Sequence, residues 1–153
     1  VPSNQSGENL VTALINPKLV EEEEQKIKNK ALDVIEFLNL KHLANELAGN
    51  LSGGQKKLLE LARSIINEPE ILLLDEPLAG VNPKLAEDIL SLIKKLSNEG
   101  ITILMVEHNI EAVMKISERI VVLAEGSLIA DGNPNEIRTD RNVIEAYLGK
   151  DND

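Results

Sequence analysis

Apolar residues recur along the chain with two different spacings. Ile27, Ala31, Val34, Ile35 and Leu38 fall at helical intervals. Leu58, Leu61, Ala62, Ile65 and Ile66 do the same, followed by Leu85, Ala86, Ile89, Leu90, Ile93 and Leu96. Two short β-rich runs, residues 71–74 and 101–106, follow the second and third of these stripes. The first is uninterrupted by polar residues, as in a strand buried on both faces. Residues 120–123 and 127–130 read as two further strands joined by Glu125-Gly126.

Punctuation between the runs sets the element ends. Residues 9–16 read as a short apolar helix that Pro17 ends. Four carboxylates at 21–24 then open the next helix, where a helix dipole favours negative charge. Glu68-Pro69 stops the second stripe, and Gly100 the third. Asn82-Pro83 has the form of an N-cap followed by proline at the first helical position. Residues 109–117 are helical, 131–134 form a turn, and short helices finish the chain. Strands alternating with helices predict an α/β fold with a parallel sheet.

Composition narrows the function classes. A chain of 153 residues with 42% apolar and 27% charged residues can bury a core, so it is a folded domain, not a disordered one. It has no cysteine, which excludes a disulfide scaffold and thiolate metal sites. The net charge of −10, with no basic patch in either half, argues against sequence-independent binding to nucleic acid or anionic lipid. Phe37 and Tyr147 are the only aromatic residues, too few for a base-stacking platform. No apolar run approaches the roughly 20 residues that cross a bilayer, and no signal-peptide pattern is expected at the start.

Three polar clusters fall at strand ends or helix starts, where α/β sheets place their ligands. Ser52-Gly53-Gly54-Gln55 stands before a helical stripe. Its glycines allow backbone N–H groups to converge on an anion, assisted by the helix dipole. The same four residues also fit a capping box, with Ser52 at the N-cap and Gln55 at N3. Asp75-Glu76 ends the first strand run. Such carboxylates can hold Mg²⁺ and orient a water, or simply be solvated. His108 follows the second run and suits a hydrogen bond to a phosphate oxygen, though a histidine at a loop edge is often structural.

Taken in order, these residues resemble the C-terminal part of an ATP-binding-cassette (ABC) transporter ATPase. Leu51-Ser52-Gly53-Gly54-Gln55 matches the family signature LSGGQ without a change. Ile71-Leu72-Leu73-Leu74-Asp75-Glu76-Pro77 looks like the Walker B strand with its catalytic glutamate. Residues 78–82 stand where the D-loop belongs, and His108 where the switch histidine belongs. The resemblance runs from about residue 7 to 148. Leu78-Ala79-Gly80-Val81-Asn82-Pro83 and residues 106–113 look most like the ATPases of branched-chain amino-acid importers.

The resemblance implies a partial P-loop NTPase (RecA-like) core with an α-helical subdomain. Residues 1–67 would form the helical signature subdomain, and 68–153 the C-terminal part of the ATPase core. It implies ATP and Mg²⁺ as ligands. Ser52, Gly53, Gly54, Gln55 and Asn82 would face nucleotide held by an opposed subunit, Asp75 would hold Mg²⁺, and Glu76 and His108 would be catalytic. The implied partners are a second ATPase subunit, head to tail, and an integral membrane permease, with no nucleic acid. The implied location is the cytoplasmic face of a membrane, peripherally.

The sequence departs from the family at Asn82, where Asp is usual, and at Ala79, where Ser is common. More importantly, no Gly-x-x-Gly-x-Gly-Lys-Ser/Thr Walker A loop occurs anywhere in it. The expectation is therefore a back portion of a longer ATPase, inactive alone. Its parallel sheet would lack its first strands and be prone to self-association. The alternatives are a soluble cassette ATPase without a transport role and a non-catalytic partner-binding module.

Overall fold

The computed structural model describes residues 14–148, and the chain divides into two compact units between Met105 and Val106. The described part of the first unit opens with Leu14 and Ile15, both helical, and helix α1, Pro17–Phe37, follows. Its cap is Asn16, whose side chain accepts a hydrogen bond from Leu19 N at 3.4 Å. Leu14 and Ile15 before it are helical, so Pro17 stands where the predicted helix ends and also starts the next one. Proline fits there because its missing N–H falls where no intrahelical acceptor exists. The carboxylates at 21–24 consequently lie beyond the first turn, which holds no acid. Of the apolar run predicted for residues 9–16, the part up to 13 lies outside the described residues.

Two 3₁₀ turns, Lys41–Leu43 and Ala48–Asn50, lead to helix α2, Gly53–Ile65. Strand β1, Ile71–Asp75, follows, then helix α3, Pro83–Asn98, and strand β2, Thr102–Val106. β1 and β2 are hydrogen-bonded neighbours. The intervening helix makes the crossover that a parallel pair requires. Leu38, Leu40, Leu61, Ala62, Ile65, Leu72 and Leu96 form one core cluster. α1, α2, β1 and α3 thus share a core.

β1 is not buried on both faces. Leu72 is 4% exposed, but Ile71 and Leu73 are 62% and 69% exposed. The alternation follows from the pleat: one row of side chains enters the cluster. Nothing among the described residues covers the other row, which continues at the exposed Leu104 of β2.

In the second unit, Asn109 caps helix α4, Ile110–Ile116, by accepting from Ala112 N at 3.1 Å. Strands β3, Ile120–Ala124, and β4, Ser127–Gly132, pair antiparallel from Ile120 opposite Gly132 to Ala124 opposite Ser127. Glu125 and Gly126 connect them, both at positive φ, as a two-residue hairpin turn of this hand demands. Arg119 grips Asp131 with two hydrogen bonds, Nε to Oδ1 at 2.9 Å and Nη2 to Oδ2 at 2.7 Å. They hold the Asp131 carboxyl below its ordinary pKa and push the Arg119 guanidinium above its own. The segment 131–134 is not simply a turn: Asp131 and Gly132 complete β4, and Asn133 caps helix α5, Pro134–Thr139. Helix α6, Arg141–Val143, follows. Ile120, Ala130, Ile137 and Val143 form the core of this unit.

Candidate functional site: the signature loop and the strand end

Ser52 has an extended backbone and begins α2 with a complete capping box. Its Oγ accepts from Gln55 N at 3.2 Å, and Gln55 Oε1 accepts from Ser52 N at 2.8 Å. The two readings of this motif are compatible. The cap satisfies the N3 amide, while the first-turn amides of Gly53 and Gly54 have no intrahelical acceptor. A serine hydroxyl that accepts one hydrogen bond keeps its proton free to donate another. The sequence thus folds into a fixed loop that presents two backbone donors and a hydroxyl at a helix N-terminus.

Gly54 is glycine for a second reason. A Cβ at this position would overlap Leu85 Cδ2 on α3. The neighbouring turn is held by similar means. Ala79 N donates to Glu76 O at 3.1 Å, Gly80 takes φ +71°, and Asn82 Oδ1 accepts from Leu85 N at 3.0 Å. Asn82 keeps the cap that an aspartate would provide, without its charge. Ser52, Gly53, Gly54, Gln55 and Asn82 all line one open cleft of about 450 Å³, to which Lys84 adds a positive and Asp88 a negative charge. The structure therefore brings together every residue expected to face nucleotide from the signature and the D-loop position.

Asp75 ends β1 with its side chain exposed, lining a smaller pocket with Lys57, Ser64 and Ile89. Glu76 follows, also exposed, with φ +43°. That left-handed conformation costs a non-glycine residue about 1–2 kcal/mol. The buried Pro77 and Leu78 anchor the turn behind it. Among the described residues no cluster of three or more His, Asp or Glu could cage a metal. A single exposed carboxylate still suits Mg²⁺, which takes one or two protein oxygens and fills its shell with phosphate and water. His108 lies exposed in the second unit, in the turn that precedes the Asn109 cap.

Sequence reasoning missed two features here. Nothing in the residue pattern announces the left-handed Glu76. Leu85 was counted in the apolar stripe of α3, yet it is only half-buried and packs on the signature glycine. The overlapping demand for glycine at 54 was its one available signal.

Residues 3–79 match the family model of the ABC transporter. The chain belongs to this ABC transporter family. A second model, the branched-chain amino acid ATP-binding cassette transporter, matches residues 127–153 of the cassette chain. The Archaeoglobus fulgidus protein named as a probable branched-chain amino acid transport ATP-binding protein, LivG, is 45% identical over 83% of the cassette chain and 49% of its own length. The Pseudomonas aeruginosa high-affinity branched-chain amino acid transport ATP-binding protein BraF is 42% identical over 93% of the chain and 56% of its own. The cassette chain spans about half the length of these curated relatives. A crystal structure of the ADP conformation of an ATP-binding cassette from an ABC transporter superposes with a TM-score of 0.75 at 35% identity, covering 95% of this chain and 61% of that one. The fold is accordingly a partial α/β cassette of the P-loop NTPase class, as the sequence led us to expect.

Proposed function

We propose that the chain is the signature-bearing part of an ATP-hydrolysing subunit that powers branched-chain amino-acid import through a membrane permease. The observation that carries this reading is the capped loop at Ser52, whose glycine amides share a cleft with Asn82. The names and lengths of the relatives support the same reading. The sequence holds no Walker A loop, so on this reading the chain alone does not turn over ATP. The helical part, residues 1–67, acts as the signature subdomain, and 68–153 as the rest of this portion of the ATPase core. The subunit pairs head to tail with a second one and sits peripherally on the cytoplasmic face of the membrane. No helix among the described residues is long and apolar enough to cross it.

In this mechanism the nucleotide lies on the Walker A loop of one subunit, and the signature loop of the other closes over it. Gly53 N, Gly54 N and the Ser52 hydroxyl donate to oxygens of the γ-phosphate, where charge develops during transfer. Glu76 orients a water for in-line attack on the γ-phosphorus and takes its proton, and ADP departs. His108 donates from its imidazole to a γ-phosphate oxygen. Asp75 would hold Mg²⁺, which would supply positive charge against the charge that develops on the phosphate.

The test is a subunit that joins this chain to the Walker A half of a relative. Glu76→Gln should cut ATP turnover by about 10²–10⁴-fold while ATP stays bound, as measured by phosphate release and retained nucleotide. Turnover within a few-fold of the parent would remove Glu76 from the role.

A further inference from the structure

Leu85 is the third residue of α3 and the meeting point of two contacts. Its N–H donates to Asn82 Oδ1 at 3.0 Å, and its Cδ2 fills the space that a Cβ on Gly54 would need. It differs from the later residues of its stripe. Ile89, Leu90, Ile93 and Leu96 are buried, whereas Leu85 is half-buried and lines the polar cleft beside Ser52 and Asn82. An apolar side chain at that place does nothing for a phosphate. What it does is close the gap between two loops. Close-packed groups transmit displacement, so a shift of the signature loop must carry the first turn of α3 with it. Through the Asn82 cap, the turn at 78–82 follows.

We propose that Leu85 is a positioning residue that locks the signature loop to the Asn82 turn, so that both reach the opposed subunit's nucleotide in one register. The proposal rests on the nucleotide reading of Ser52 and Gly54 given above. Leu85 offers no polar side-chain group to a phosphate or a metal and acts through Gly54. It gives glycine at 54 a packing reason, since a methyl there must displace the Leu85 side chain, and that reason is separate from the phosphate contact of its amide. It also explains how Asn82 serves without the usual charge, since the hydrogen bond to Leu85 N needs only an oxygen.

The packing is tested in the chain itself by a size swap. Gly54→Ala, Leu85→Ala and the double variant are compared by urea unfolding. The double variant should be more stable than the two single losses sum to, because the smaller residue at 85 makes room for the methyl at 54. Strict additivity overturns the contact. The role is tested in the subunit joined to a Walker A half. Leu85→Ala should lower kcat by about ten-fold or more. ATP affinity of the separated subunits should stay within about two-fold, and Leu85→Met should restore most of kcat. A merely structural leucine would not split kcat from affinity in this way. If Leu85→Ala keeps kcat within about two-fold of the parent, the proposal falls. Ser52→Arg in the same subunit separates the two failures. Turnover lost by Ser52→Arg but kept by Leu85→Ala discards Leu85 alone, and turnover kept by both discards the nucleotide reading as well.

Discussion

The signature loop and the strand end at Asp75-Glu76 are both polar segments of the first unit, and they are built on opposite principles. In the loop, Ser52 and Gln55 spend their side chains on each other's backbones, and what faces outward is main chain. At the strand end the side chains face outward, and the main chain carries the cost, with Glu76 held at φ +43°. A group that must grip a phosphate with amides gains from every bond that stiffens it, so stability and function ask for the same residues there. A carboxylate that must reach past the end of a strand asks for a backbone that an ordinary residue does not prefer. On the proposed reading, stability and chemistry agree at the signature loop and oppose one another at the strand end.

This contrast can be broken at several points. The largest effect on stability belongs to the support behind the strand end. Leu72→Ala should cost about 2–5 kcal/mol, measured by urea unfolding, whereas Leu73→Ala should stay within about 0.5 kcal/mol because its side chain is already exposed. Equal losses would mean that β1 has a second covered face. Next comes the cap. Ser52→Ala should cost about 1 kcal/mol, and no loss would show that the capping box contributes nothing. Of similar size is the strain at Glu76. Glu76→Gly should be more stable than Glu76→Ala by about 1 kcal/mol, since both lose the carboxylate and only glycine accepts the left-handed turn. Alanine equal to glycine would take the strain out of the comparison. The smallest effect serves as a benchmark away from both loops. Arg119 lowers the pKa of Asp131, so that pair stabilises the fold above the unfolded carboxylate pKa, and the gain is lost as pH falls through the folded value. Asp131→Asn should therefore lower the unfolding midpoint slightly at neutral pH and not at all in acid. A pH-independent difference would mean that the charge of Asp131 is not what matters.

Element order was legible because apolar spacing is fixed by what each element buries, and the strands and long helices appear where the stripes and runs lie. Helix starts were legible only in part. Asn82-Pro83 was read as a cap, yet the same dipeptide at Asn16-Pro17 was read as a stop, and at Asn133-Pro134 as a turn. Proline both ends and begins helices, and at Asn16-Pro17 it does both, because Leu14 and Ile15 are helical before it. Burial of β1 was not legible, because the residue pattern records what a strand can cover but not whether anything lies over it. Within the site, the cap at Ser52 and Gln55 followed from residue type and spacing. The Leu85 contact on Gly54 did not, since it depends on how closely α2 and α3 approach.

Among the described residues, three helices open on asparagine followed by proline: Asn16, Asn82 and Asn133 each accept at least one backbone hydrogen bond through the side chain. The pairing has a chemical consequence for the age of the molecule. Spontaneous deamidation of asparagine goes through a cyclic succinimide, closed by the N–H of the next residue. Proline has no such N–H. These three amides are shielded from that route, and the helix starts they hold do not acquire stray negative charges with time.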